Sequence, residues 1–290
     1  SYGEWGISQY NTRLYNLSEL IRRSVDRGPD LIALQEIENE RVAVDLVESY
    51  LKGMGYNYII VTDTENSAIQ LGFISRYELD DVKVHQVISN GKIIGRPILE
   101  ASVVIDSNIV HVFNNHWKSK LGGAEETEPA RISSSALLSR RIHELQLEDP
   151  NVEIVILGDL NENWDEYRRI NGDYITALIN FEDNPSGNIT GSILITGSKD
   201  TIGQNPALLY SPWGEYTGEY GSYVYNNSWE TIDNILLNSS MFNGTGFEYK
   251  SSSVVSDDFL LNKWGTPLAW KTETGYGYSD HLPILLVIEK

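Results

Sequence analysis

The sequence contains no cysteine, only two methionines and far fewer basic than acidic residues. Without cysteine the chain forms no disulfide scaffold and no thiolate metal site, and it has no cysteine nucleophile. Any bound metal ion must therefore be held through oxygen and nitrogen atoms. The 22 Lys and Arg residues face 41 Asp and Glu residues, so the formal net charge is −19. This balance disfavours a protein that holds nucleic acid, or an anionic membrane, through a broad basic surface.

Long apolar runs are also missing from the sequence. No stretch approaches the roughly 18 consecutive apolar residues of a membrane-spanning helix, so we expect no transmembrane segment. The first residues do not have the charged, apolar and small-residue pattern of a secretion signal. The high content of Tyr, Trp, Gly and Asn nevertheless leads us to expect an exported protein (periplasmic, lipoprotein or extracellular) whose signal precedes residue 1.

Hydrophobic residues make up 41% of the chain, which is enough to bury a core, and we expect a single domain over residues 1–290. The spacing of apolar residues predicts helices near Tyr10, Arg41 and Ala130, the last with Pro129 in its first turn. Short apolar runs between them predict many strands, and this order indicates an α/β or α+β sandwich of layered sheets. Residues 180–227 are rich in Gly, Ser, Thr, Asn and Tyr, which favours long surface connections.

Polar residues follow or precede several apolar strands, where a rigid strand would position them well for catalysis. They are Gln35-Glu36, Asn115-His116, Asp159-Leu160-Asn161 and Ser279-Asp280-His281. Each group also has a plainer interpretation, because Gln35-Glu36 could be a solvated loop and Asp159 and Asn161 could form an Asx turn. In an extended stretch, however, Asp159 and Asn161 would face the same way and could address one ligand.

Asp233 lies inside the apolar run Thr231–Leu237, where an unpaired carboxylate would be costly, so it needs a partner. His281 is the natural candidate, because a buried carboxylate could orient its imidazole and stabilise the protonated form. In contrast, His85, His111 and His143 are better interpreted as surface or structurally satisfied histidines.

His116 is followed by Lys118 and Lys120, and an extended backbone would place all three on one side. A solvated charge pair is the alternative, but three potential cations in an acidic chain also fit a phosphate site. The carboxylates, histidines, amide and lysines together suit phosphoester hydrolysis, which depends on aligning water and stabilising charge. Oxygen ligands favour Mg²⁺, with Mn²⁺ or Ca²⁺ as alternatives, over zinc.

These motifs resemble the endonuclease/exonuclease/phosphatase superfamily, whose deoxyribonuclease-like fold is a four-layer α/β/β/α sandwich. The resemblance spans residues 29–288 and rests on five motifs in family order. They are Leu34-Gln35-Glu36-Ile37-Glu38-Asn39, Asn115-His116-Trp117-Lys118-Ser119-Lys120, Gly158-Asp159-Leu160-Asn161-Glu162, Thr231-Ile232-Asp233 and Ser279-Asp280-His281-Leu282-Pro283.

The resemblance implies a role for each site residue. Glu36 is similar to the family's principal metal ligand, and Asp280 to a residue on or near the metal. Asp159 and Asn161 resemble the pair that orients water and holds the scissile phosphate, and His281 resembles the general base or transition-state cation.

Four further roles follow from the resemblance. Asp233 resembles the residue that orients His281, and His116 resembles the second histidine, close to the leaving group. Lys118, Lys120 and Arg131 are implied as phosphate contacts.

One feature departs from the family pattern. Family members begin with a central strand that carries an Asn at the metal or phosphate, and Asn11 is the one candidate near the right distance from Glu36. Asn11 already lies in the predicted helix, and Glu4 to Tyr10 resembles the linker after that strand. We therefore expect that strand to precede residue 1, in which case the core lacks an element and the site lacks a ligand.

The leading hypothesis is a Mg²⁺-dependent, nuclease-like phosphodiesterase and a monomer, which would hold nucleic acid locally through a metal and a few cations. A phosphatase or phospholipase-type enzyme acting on small or lipid phosphoesters is the second hypothesis, and the acidity favours it. A non-catalytic binding protein on the same fold is the third.

Overall fold

The computed structural model describes residues 5–65, 67–184, 190–218 and 220–290. In these ranges the helices are α1 Ile7–Ser24, α2 Glu40–Tyr50, α3 Ala124–Glu148 and α4 Glu166–Arg169. The strands are β1 Leu31–Ile37, β2 Tyr58–Val61, β3 Gln70–Ser75, β4 Glu78–His85, β5 Ile88–Ser89, β6 Lys92–Ile93, β7 Ile98–Ile105, β8 Asn108–His116, β9 Glu153–Asp159, β10 Leu178–Asn180, β11 Ile193–Thr196, β12 Leu209–Tyr210, β13 Tyr223–Tyr225, β14 Ser228–Glu230, β15 Asp233–Leu237, β16 Glu248–Val254 and β17 Ile284–Glu289.

One large sheet forms the centre of the molecule, with the order β10-β11-β12-β15-β9-β8-β7-β4. It is a mixed sheet, because β8 runs parallel to β9 while β15 runs antiparallel to it. Two smaller ladders, β1-β3-β2 and β16-β17, make up the second layer of strands. Among the described residues no strand joins these two ladders.

Apolar side chains fill the spaces between four layers. Residues such as Phe73 of β3, Val112 of β8 and Ile235 of β15 form the core between the two layers of strands. Leu138 and Ile142 of α3 cover the other face of the large sheet. Helices α1 and α2 pack outside the smaller ladders and form a third apolar cluster with them. It includes Leu14, Ile21, Ala43, Leu46 and Ile74. The architecture is therefore the α/β/β/α sandwich that the resemblance implies.

Helix α3 begins earlier than its sequence indicates. Pro129 has no amide hydrogen and usually occupies the first turn of a helix, which led us to expect a start after Thr127. The helix instead begins at Ala124, and the Thr127 hydroxyl donates to the carbonyl of Gly123 at 2.7 Å. Pro129 is therefore the sixth residue of the helix, where it removes one amide donor without ending the helix.

The segment 180–227 is also more regular than expected. Strands β11 and β12 extend the large sheet, and all four side chains of β11 are buried. The prediction of surface connections was therefore wrong for these strands, since the segment's Ser, Thr and Gly residues hide short apolar runs. Residues 185–189 of this segment, and residue 219, lie outside the described residues.

Helix α1 includes Ile7 to Tyr10, which the sequence analysis assigned to a linker. The expected helix from Tyr10 is thus confirmed, and it begins one turn earlier. Asn11 lies on the exposed side of this helix. Residues 1–4, the start of that expected linker, lie outside the described residues.

Candidate active site

Three central strands bring three polar side chains into one row. In the parallel pair β8–β9, His116 lies opposite Asp159, and in the antiparallel pair β9–β15, Asp159 lies opposite Asp233. Residues that face each other across a ladder project from the same face of the sheet. Backbone pairing alone therefore places the imidazole of His116 at one end of a row that continues with the carboxylates of Asp159 and Asp233. All three residues are at most 9% exposed.

His281 completes this row through Asp233. The Nδ1 atom of His281 lies 2.8 Å from Oδ2 of Asp233, and the hydroxyl of Ser222 donates to the same oxygen at 2.5 Å. The carboxylate of Asp233 is thus paired, as its place in an apolar strand requires. The ring of Tyr223 lies against the imidazole, with 4.6 Å between ring centroids.

The two histidines have opposite electrostatic environments. Burial disfavours the charged form of His281, but the Asp233 carboxylate outweighs burial and raises the pKa of His281 to about 9. Burial, reinforced by Arg96, lowers the pKa of His116 to about 3. At neutral pH the site therefore contains one imidazolium and one neutral imidazole.

Asp159 and Asn161 form a tight turn where β9 ends. The backbone amide of Asn161 donates to Oδ1 of Asp159 at 2.8 Å, which is the Asx turn that the sequence left open. The Asn161 side chain donates to Oδ2 of Asp159 at 3.1 Å and to the carbonyl of Trp117 at 3.2 Å. Burial, together with the nearby charge of Asp233, raises the pKa of Asp159. The turn thus holds an amide and a basic carboxylate beside the histidines.

Glu36 and Asp280 supply exposed carboxylates at the same place. Glu36 lies near the end of β1, at a shift in the register with β3, and has a left-handed backbone conformation with φ of 58°. Its side chain is 65% exposed. Its Oε1 atom lies 3.8 Å from Nε2 of His116, while Asp280 directly precedes His281. In the described part of the chain neither carboxylate forms an ion pair with Lys or Arg.

A hard divalent cation fits this donor set. Mg²⁺ is commonly bound by one or two carboxylates and completes its shell with water and substrate phosphate. Glu36 and Asp280 are oxygen donors that no Lys or Arg of the described chain occupies. Within the described ranges no three His, Asp or Glu residues are grouped as a ready metal cage. The arrangement therefore fits a cation that keeps several water ligands.

The three residues expected to contact phosphate differ in whether their charged groups are already paired within the protein. Lys118 is half-buried with no hydrogen bond from its ammonium to any described residue, and Lys120 is paired with Glu166. Arg131 is fully buried, and its Nε atom donates to Glu162 at 2.7 Å. It also binds Glu128 and the carbonyls of Lys118 and Ala124. The structure does not place Arg131 at the surface of the site, because its donors cross-link the interior.

Two contributors, Ser222 and Arg96, are not predicted from the sequence. Ser222 precedes β13, whose first residue Tyr223 forms an antiparallel bridge with His281, and the Leu282 amide donates to the Ser222 carbonyl at 2.7 Å. Arg96 donates to the carbonyl of Trp117 at 2.6 Å. No local pattern marks these residues, since their partners are distant in sequence.

From the sequence, the loop residues Trp213, Tyr216, Tyr220 and Tyr223 could stack on bases or sugars of a substrate, although tyrosines that fill the interior of a loop are commoner. Trp213, Tyr216 and Tyr220 pack on one another and on the core, with 4.8 Å between the two tyrosine centroids. Of these four residues, Tyr223 is the one that packs against a site residue, His281. The other three fill the base of the loop, as tyrosines in long loops commonly do.

Comparison with known proteins identifies this arrangement. A sequence model described as the endonuclease/exonuclease/phosphatase family matches residues 1–172 and 169–290. The chain belongs to this family. No curated protein matches it.

Solved structures of the family share the fold at low sequence identity. A humanized zebrafish (D. rerio) TDP2 is 13% identical with a TM-score of 0.61, over 98% of this chain and 94% of that one. A mannosyl-6-phosphatase from Bacteroides thetaiotaomicron is 14% identical with a TM-score of 0.59, over 100% and 97%. Zebrafish TDP2 in complex with a single-strand DNA product is 15% identical with a TM-score of 0.55, over 97% and 93%.

The family assignment also fixes the broad chemistry. Members of the endonuclease/exonuclease/phosphatase family are generally hydrolases of phosphoric esters, and they typically use divalent metals.

In the described part of the chain no helix is long and apolar enough to cross a membrane.

Proposed function

We propose that this protein is a divalent-metal-dependent hydrolase of phosphoric esters, with Mg²⁺ as its metal. The observation that carries the proposal is the row His116–Asp159–Asp233, extended by the 2.8 Å contact between Asp233 and His281. Such a row offers a cation, a base and hydrogen-bond donors within one small volume. Phosphoryl transfer requires little more than these groups in fixed positions.

Each side chain of the row has a proposed task. His281, held protonated by Asp233, stabilises the negative charge that develops on the phosphoryl oxygens. Asp159 has a raised pKa, so it can accept a proton from the attacking water, and the Asn161 amide orients that water. His116 remains neutral and contributes a hydrogen bond instead of a charge near the leaving group.

Glu36 and Asp280 would hold the metal ion. Once bound, the ion supplies positive charge against the phosphate oxygens. Mn²⁺ or Ca²⁺ could occupy the same oxygen ligands. Lys118, whose ammonium bonds to no described residue, is proposed as a phosphate contact, with Lys120 as a weaker one.

Phosphodiester bonds in nucleic acid are the first proposed substrate. The sequence motifs resemble the nuclease branch, and one similar structure is TDP2 with a single-strand DNA product. The net charge of −19 means that DNA would be held only locally and weakly.

A small phosphoester is the second candidate, favoured by a specific observation. Two of the three cations expected to hold a polyanion, Lys120 and Arg131, are paired with Glu166 and Glu162. The site therefore presents less positive charge than a nucleic-acid groove needs. The similar mannosyl-6-phosphatase indicates a sugar phosphate as one compound to test.

Hydrolysis assays separate these possibilities. With Mg²⁺ present, we expect the protein to cleave bis-p-nitrophenyl phosphate, and His281→Ala to lose that activity. His85→Ala serves as the matched control, since His85 is also bonded to a buried carboxylate, Glu100. Equal rates for these two variants would contradict the proposed centre, and no hydrolysis by the wild type would favour a binding protein.

Parallel reactions identify the substrate. Plasmid DNA, mannose 6-phosphate, inositol phosphates and sphingomyelin are incubated with the protein under the same conditions. Nicking of plasmid supports the nuclease proposal. Release of phosphate or a lipid headgroup without nicking supports the second candidate.

We also propose that residues 1–290 form one domain, that the protein is a monomer and that it acts outside the cytoplasm. Compositional features support export, and a common core of the central sheet supports one domain. Sedimentation velocity and fractionation of the producing cells test these proposals.

A further inference from the structure

Arg13 is an exposed arginine on α1 with an unusual setting. In the described chain its guanidinium forms no ion pair and no hydrogen bond, although most other arginines discussed above are paired. The guanidinium carbon lies 5.5 Å from the centroid of the Trp270 ring. A cation over an aromatic face is held in place while its N–H donors stay free.

The position of this pair is fixed from both sides. The side chain of Asn16, one turn after Arg13, donates to the carbonyl of Gly277 at 2.9 Å. This contact joins α1 to the loop that leads directly into Asp280 and His281. The ring of Trp5 packs edge-on against Trp270, with 6.4 Å between centroids.

The charges nearest to Arg13 show which way this pair faces. The carboxylates that act electrostatically on the Arg13 guanidinium are Asp280 and Glu36, the two proposed metal ligands. Neither lies within ion-pair distance, so the arginine does not occupy them.

Trp270 adds a second unsatisfied donor. Its indole Nε1 atom is buried and has no hydrogen-bond partner in the described structure. Buried donors are nearly always paired, so an orphaned one calls for an explanation. The indole N–H of Trp270 and the guanidinium of Arg13 are thus two neighbouring donors for which the described chain supplies no acceptor.

We infer that Arg13, held on Trp270, is an anion-binding group that takes an oxygen of the substrate phosphate. This inference rests on the proposed function, since the phosphate would lie between Arg13 and the ion at Glu36 and Asp280. Guanidinium is well suited to the task because its planar N–H groups match two oxygens of a phosphate. Arg13 also supplies positive charge that Lys120 and Arg131 do not, since these two residues are paired with the buried carboxylates of Glu166 and Glu162.

The matched control for Arg13 is Arg140 on α3. It is likewise exposed, and the structure gives it no hydrogen bond or ion pair among the described residues. Arg13→Gln and Arg140→Gln therefore remove the same charge from the same kind of helix surface.

The test measures binding of inorganic phosphate by calorimetry, with and without Mg²⁺, and then its inhibition of bis-p-nitrophenyl phosphate hydrolysis. We expect Arg13→Gln to raise the phosphate Kd, the inhibition constant and KM about ten-fold, with a smaller change in kcat, as for one charge-assisted contact. Arg13→Lys should recover part of the affinity, and Arg140→Gln should match the wild type. Trp270→Leu should weaken binding more than Trp270→Phe, which keeps an aromatic face.

The outcomes are distinguishable. If phosphate binds the wild type and Arg13→Gln equally well, the inference is overturned even when the enzyme is active. If no substrate is hydrolysed but phosphate binding depends on Arg13, the anion site stands and the proposed function fails. Loss of binding in Arg140→Gln to the same extent would reduce the effect to net charge and also overturn the inference.

Discussion

Two clusters in this protein combine histidines with buried carboxylates, and they differ in what neutralises the negative charge. Around Glu100 of β7, the Arg141 guanidinium binds both carboxylate oxygens at 2.8–3.1 Å, while His85 lies at 2.5 Å and His111 at 3.8 Å. At the proposed reaction centre, no arginine of the described chain pairs with Asp233.

This difference separates a structural cluster from a reactive one. A carboxylate held by a bidentate arginine is fully compensated and has no reason to exchange protons. Among the residues that the structure describes, Asp233 is compensated by the Ser222 hydroxyl and by His281, so its negative charge keeps the imidazole protonated. Residue types alone do not distinguish these clusters, whereas their partners do.

The largest expected effect comes from removing the charge of Asp233. Asp233→Asn should lower the rate of phosphoester hydrolysis by about 10²–10³-fold, because His281 loses the carboxylate that holds it protonated and oriented. Initial rates with Mg²⁺ measure the change. A variant with more than half of the wild-type rate would mean that His281 acts without Asp233.

The corresponding change in the other cluster should affect stability instead of rate. Glu100→Gln leaves Arg141 with the exposed Glu144 as its remaining charged partner among the described residues, and breaking such a buried pair destabilises a protein by about 3 kcal/mol. Urea unfolding measures this loss, and kcat of the folded protein should stay within about two-fold of the wild type. A large loss of kcat with unchanged stability would reverse the assignment of the two clusters.

The clusters should also lose stability at opposite ends of the pH range. The pKa of His281 is raised from 6.5 to about 9, so the stability it contributes is complete below pH 6.5 and is lost as the pH rises through about 9. Burial alone would raise the pKa of Glu100, but the neighbouring His111 and the hydrogen-bonded His85 and Arg141 outweigh burial and lower this pKa below 4.5. Its contribution is present above pH 4.5 and is lost as the pH falls.

Midpoints of urea unfolding at pH 4, 6.5 and 9.5, taken without divalent metal, measure the acid and the alkaline limbs of the curve of stability against pH. Asp233→Asn should flatten the alkaline limb, and Glu100→Gln should flatten the acid limb. The same pH dependence in both variants would show that neither pair governs its limb.

The smallest expected effect distinguishes the two lysines. Lys118→Ala should raise KM by about three-fold and reduce the salt dependence of binding, since a free surface charge contributes at most about 1 kcal/mol. Lys120→Ala should change KM less, because its ammonium is paired with Glu166. Steady-state assays at two salt concentrations test this order, and a larger effect for Lys120 would contradict it.

Much of the fold follows from local sequence. Apolar runs in the sequence predict β1, β8, β9 and β15 correctly, because strands that are buried on both faces are rich in apolar residues. The start of α3 was missed because Pro129 is a common but not an obligatory first-turn residue.

The site could be predicted from the sequence less well than the fold, because the pairing of strands sets the positions of its side chains. The alignment of His116, Asp159 and Asp233 is set by the register of three strands, which no local pattern encodes. Arg131 carries the right charge for a phosphate contact, yet its donors point into the interior. Sequence shows that a charge exists but not what neutralises it.

The wide separation of the site residues along the chain has a consequence for how the protein folds. Asp233 and His281 are 48 positions apart, while Gln35 reaches across 79 positions to bond Asn114 beneath the site. The parallel pair β8–β9 can form only after the whole of α3 has closed the loop between them, and closing long loops is slow. His281 follows every other residue of the proposed centre along the chain, so a nascent chain shorter than 281 residues cannot carry the complete set. The contact between Asp233 and His281 can form only once these late residues have been synthesised and have packed beside β15.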